Sequence, residues 1–149
     1  MALVCFNNIT DPASNLQFVR MVAGMDDVFS REHTGWRAVK SGTLQHMMYL
    51  FIVACELAIT IMVVAGTYKM IRNLHSQVEI FERAKKWLRT GLALGVALWC
   101  GMFLAIGGEW FLMWQSKQWN GQQTAFLLCI CFLLFLLFVD KRDGSEHSN

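Results

Sequence analysis

Three long apolar runs govern what this chain can fold into: residues 47–66 carry a single charge, and residues 90–108 and 120–139 carry none. Each approaches the roughly 20 helical residues that cross a hydrocarbon core about 30 Å thick. The 149-residue chain is 55% hydrophobic and only 16% charged, whereas a soluble domain carries about a quarter charged residues. Lipid must therefore be part of its solvent. The expected fold is all-α, an integral membrane helical bundle with three full transmembrane helices at about 44–68, 89–108 and 121–139. These belong to one membrane domain over residues 1–143, followed by a short disordered tail over 144–149.

The segment ahead of the first run is more polar. Met1 to Phe6 is apolar but too short to span, so it reads as the truncated end of an N-terminal helix. Asp11 can cap a helix that has Pro12 at its first position and runs to about Ala23, where Gly24 is a natural stop. Leu16, Val19 and Ala23 share one face of it, giving an amphipathic helix in the first outer loop that can lie on the bilayer or on the bundle. Residues 25–40 mix both charge signs, and Trp36 is placed as an interfacial anchor.

In the first full span, Gln45, Tyr49, Glu56, Thr60 and Thr67 are spaced to fall on one helical face. Glu56 sits near mid-span, where an ionised carboxylate is costly, so it needs a partner or a proton and should point into the bundle. Between the first two runs, Lys69, Arg72, Arg83, Lys85, Lys86 and Arg89 outnumber Glu79 and Glu82, and Leu74, Val78 and Phe81 suggest a short surface helix. That basic excess assigns the loop 69–89 and the C terminus to the cytoplasm. In the second run, Gly91 and Gly95 with Ala93, Ala97, Gly101 and Ala105 supply small residues at four-residue spacing, which lets a neighbouring helix approach closely.

The loop after the second run, residues 107–121, holds Glu109 with Trp110, Trp114 and Trp119, rings that settle at the headgroup layer. His46 starts one span and Glu109 ends the next, so antiparallel packing brings them to similar depth. A candidate polar site therefore combines Glu109 with His46, Arg37 or Lys40, alongside Glu56 and Tyr49 deeper in the bundle.

At Asn7-Asn8-Ile9-Thr10-Asp11, at Trp36-Arg37-Ala38, and at Ala105 to Ser116 continuing through Trp119-Asn120-Gly121-Gln122, the sequence resembles a bacterial family of predicted small integral membrane proteins of unknown function. The resemblance covers nearly the whole chain. It implies a multi-pass protein of the bacterial inner membrane, natively a four-helix bundle whose first helix ends just before the Asn-Asn-Ile-Thr-Asp motif. Charge supports the fourth helix: without it, a segment containing Arg20, Arg31, Arg37 and Lys40 would have to cross the membrane with nothing preceding it.

Function is less constrained. No HExxH, nucleophile elbow or P-loop occurs, the five cysteines have no CxxC spacing, and four of them lie within apolar runs as small hydrophobes would. Neither a catalytic role, a cofactor, a metal nor a nucleic-acid partner is called for. An accessory or interaction subunit of a membrane complex is the leading expectation; besides the lipid bilayer, its partner would be another membrane protein or a second copy. The alternative is a small-ligand, lipid- or quinone-like, or proton-coupled ion site built around Glu56 and Glu109. A haem-bearing or enzymatic subunit is a third class, weakened because His46 is the one histidine near a span.

Overall fold

Gly42 to Arg72 form a single helix, α4, whose 31 residues extend about 46 Å at 1.5 Å per residue, enough to carry both ends past the hydrocarbon core. The Ser41 side chain caps it by accepting from the Leu44 N–H. The structure, a computed structural model, describes residues 1–141, so the tail expected over 144–149 lies outside it. A second helix long and apolar enough to span, Val78–Trp110, returns antiparallel, and α6 (Gln122–Asp140) is the third. The protein is an all-α integral membrane protein with three candidate spans.

The short surface helix expected before the second span does not stand apart. It is the first part of α5 (Val78–Val96), which continues without a break into a π-helical segment, Ala97–Trp110, while Leu74 stays in the preceding turn. Ala84, Lys85, Leu88, Gly91, Leu92 and Gly95 repeat at helical spacing and are buried, so this stretch packs because it is amphipathic. The π segment closes when the Phe111 N–H donates to the Ile106 carbonyl, five residues back, at 2.9 Å.

Glycines set the helix separations. A Cβ on Gly66 would lie 2.3 Å from the main-chain nitrogen of Leu88, and one on Gly95 would lie 2.2 Å from the Phe132 ring. Gly91 is similarly pressed by Val63 and Met62, so the Gly91/Gly95 pair serves packing of α5 against α4 and α6. The small-residue ladder beside it behaves differently. Ala93, Ala97 and Ala105 are exposed, and a Cβ on Gly101 would meet nothing within 4 Å.

Ahead of α4, the chain forms α1 (Ala2–Thr10) and α2 (Pro12–Gly24), which both pack on α4, and then a single helical turn, α3 (Arg31–Thr34). Pro12 has no N–H and cannot continue α1, while the Asp11 side chain accepts from the Ser14 N–H at 3.2 Å and starts α2. Thus α2 lies on the bundle, and helix persists through Asn7 and Asn8 rather than ending with the apolar Met1–Phe6 stretch. The stop of α2 is also displaced by one residue. Gly24 remains helical, and the left-handed residue is Met25 (φ 53°), fully buried, with the paired bonds of Met25 N–H to Val22 and Asp26 N–H to Met21 closing the end.

At the basic end, Glu82 bonds Lys85 and Arg89, the Arg89 Nε lies 3.3 Å from Asp140, and the buried Lys85 donates to the Lys141 carbonyl at 3.0 Å. These contacts pin α5 to the end of α6. The main core cluster, including Ile59, Leu88, Leu92, Trp99, Cys129 and Phe132, fills the space between the three long helices.

Candidate functional site

Glu56 sits midway along α4, only 1% exposed, and faces into the bundle as the polar stripe predicts. Its side-chain partner is Asn8, whose amide nitrogen donates to the carboxylate. Tyr49, one face-repeat away, donates its phenol to the Asn8 main-chain carbonyl at 2.7 Å. Thr60 is used locally, donating to the Glu56 carbonyl at 2.7 Å. Gln45 donates to Val39, which holds the start of α4 to the chain leading into it.

These groups border a cavity of about 250 Å³ between α1, α2, α4, the π segment and the start of α6. Val4, Ile52, Val53 and Val19 supply apolar wall; Asn7, Asn8, Asn15 and Thr124 supply polar groups; Phe18, Tyr49, Trp99 and Phe103 supply rings. Pairing at i→i+5 leaves residues four apart in the π segment nearly superposed, and the Trp99 and Phe103 rings lie with centroids 4.5 Å apart and planes tilted by 31°. The Trp99 indole N–H is buried without a hydrogen-bond partner among the described residues.

Asn7, Asn8, Asn15 and Trp99 are given no site role by composition or spacing. The Asn-Asn pair is the available signal, because two carboxamides on a short helix beside a buried acid can satisfy it. What hides them is the bend at Asp11–Pro12, which lays α1 against mid-α4.

The second candidate, at the tryptophan end, is assembled differently from expectation. The Glu109 side chain is exposed and has no hydrogen bond or ion pair with His46, Arg37, Lys40 or any other described residue. His46 is exposed with its ring against Tyr49, and Lys40 is exposed. Arg37 instead lies over two rings, 5.4 Å from the Trp36 centroid and 5.2 Å from that of Trp110. Four residues with no role assigned from sequence, Asp27, Ser30, Gln115 and Ser116, make the polar contacts across this end: Ser30 bonds Gln115, and Ser116 donates to Asp27 at 2.7 Å while accepting from the main-chain N–H of Trp119 at 2.8 Å.

Three aromatic pairs reinforce that lock, Trp36–Trp110, Phe29–Trp114 and Phe18–Trp119. Trp36, Trp110 and Trp114 remain exposed, and Trp119 is half-buried. The segment 107–121, which includes the end of the π-helical stretch, is therefore bound to residues 18–37 as a cap over one end of the bundle. Among the described residues, no three His, Cys, Asp or Glu side chains converge as a metal site requires.

The sequence of residues 1–142 matches the family model described as predicted small integral membrane protein (DUF2165). The chain belongs to this family. The match spans both the Asn-Asn-Ile-Thr-Asp segment that closes the cavity and the tryptophan cap, and the family description assigns no reaction, ligand or partner. No curated protein and no solved structure matches the chain.

Proposed function

We propose that this membrane protein binds a small ligand in the Glu56 cavity. The observation that carries the reading is a carboxylate only 1% exposed, hydrogen-bonded to the side chain of Asn8, facing about 250 Å³ of mixed polar and aromatic space. An acid at mid-span is costly unless it serves a packing network or a passing or bound species. The volume lies just below the roughly 300–1,000 Å³ typical of small-molecule pockets, so the occupant is compact rather than a two-chain lipid.

The test is native mass spectrometry of the full chain released from nanodiscs. A bound small species should accompany the wild type and be lost in Val53→Phe, which fills the cavity from its wall. A wild type without any bound species, or equal retention by Val53→Phe, would count against the reading.

One observation favours a second reading, an accessory subunit: along the small-residue ladder Ala93, Ala97 and Ala105 are exposed, and a Cβ on Gly101 would meet nothing within 4 Å among the described residues. Small residues at that spacing admit a helix of another protein or of a second copy. Mild extraction should then give an assembly larger than one chain that Gly101→Leu disperses; an unchanged mass would remove this reading.

For placement, we assign the protein to the bacterial cytoplasmic membrane. Lys69, Arg72, Arg83, Lys85, Lys86, Arg89 and Lys141 gather at the end opposite the tryptophan cap, and a basic excess of this kind favours the cytoplasmic side. The C terminus would share that side.

A further inference from the structure

We propose that the occupant of the Glu56 cavity is a small organic cation, an ammonium group carried on an apolar body. This rests on the ligand-binding reading above and names its chemical class. The first support is charge. Among the described residues, Glu56 and Tyr49 are the ionisable side chains that line the cavity, and no lysine, arginine or histidine does. Among the described residues Glu56 forms no ion pair, and Asn8 contributes a neutral amide. The amino group of Met1 exerts a field on Glu56 but does not belong to the lining. A carboxylate in mid-span that has no cationic side chain facing it in its own cavity favours an occupant that supplies positive charge.

The second support is the wall. Phe18, Tyr49, Trp99 and Phe103 place four aromatic residues around one acid, and ring faces attract an ammonium group while their hydrocarbon surface takes up an apolar body. A neutral hydrocarbon would use the rings but leave the acid unmatched, and an inorganic cation would use the acid but not the rings. The third support is the remaining acceptor capacity. Asn8 bonds one Glu56 oxygen, Oε2, and the other has no hydrogen-bond partner among the described residues. Asn15 spends its amide nitrogen on the Asp11 carbonyl at 2.7 Å, which leaves its side-chain oxygen as an acceptor on the same wall. An ammonium with its N–H donors fits that set.

The experiment uses the full chain in nanodiscs, with empty nanodiscs subtracted, and titrates phenethylammonium, its N,N,N-trimethyl analogue and neutral 2-phenylethanol by calorimetry. The expected result is that at least one cation binds about tenfold or more tighter than the neutral alcohol, and that Glu56→Gln removes the difference. Phe103→Leu, which keeps apolar volume but deletes a ring, should weaken cation binding several-fold and leave the alcohol nearly unchanged; it serves if Glu56→Gln does not accumulate. Equal binding of cations and alcohol would overturn the cation class while leaving a small-ligand site. Binding of none of the three would overturn both.

Discussion

The phenol of Tyr49 donates to the main-chain carbonyl of Asn8 at 2.7 Å, so the residue that bonds Glu56 through its side chain is itself held through its backbone. Two turns of α4 therefore fix one turn of α1, and the acid and its partner are oriented by a contact that neither makes alone.

Tyr49→Phe tests that arrangement. It leaves the Asn8 carbonyl without its donor in a part-buried setting, which costs about 1–3 kcal/mol. We expect a Tm several degrees lower by circular dichroism in detergent, and reduced ligand retention in the same native mass measurement. An unchanged Tm would show that α1 is held by apolar contact alone.

Helix separation is tested by a pair of glycine substitutions. Gly66→Ala drives a Cβ toward the Leu88 backbone, where nothing can rotate aside, and overpacking of this kind costs about 1–3 kcal/mol. Gly101→Ala enters open space and should lie within about 0.5 kcal/mol of the wild type. Accumulation in membranes and thermal unfolding should separate the two variants; similar behaviour would contradict the close approach of α4 and α5.

At the cap, Ser116→Ala removes both the donor to Asp27 and the acceptor of the Trp119 N–H. Trypsin should then cleave after Lys117 markedly faster than in the wild type. Glu109→Ala should leave the rate near wild type, because no described residue pairs with Glu109. The opposite ranking would mean that Glu109, not Ser116, holds the loop.

Sidedness follows from the basic end. Reporters inserted at His75 and after Asp140 should report a cytoplasmic location, and one at Gln118 the opposite side. A cytoplasmic signal at Gln118 would invert the assignment.

Much of the architecture was legible without coordinates, because crossing lipid is a demand on composition and length: an apolar run near 20 residues must close its own backbone hydrogen bonds as helix. Periodicity likewise put Glu56 on the same face as Tyr49 and Gln45, and all three are buried in the structure. The cap at Asp11 is readable because a cap is local chemistry, decided within three residues.

What tertiary structure alone decided were the contacts between segments distant in sequence. Nothing in the spacing of Asn8 and Glu56, 48 residues apart, indicates that a bend at Asp11–Pro12 brings them together. At the cap, charge suggested a partner for Glu109. The packing instead gave Arg37 to the Trp36 and Trp110 rings and tied residues 27 and 30 to Ser116 and Gln115. The physical reason is range: helix, cap and membrane residence are determined by neighbours along the chain, whereas a cavity is the space left where helices with different bends fail to close on one another, and only their three-dimensional packing sets its place.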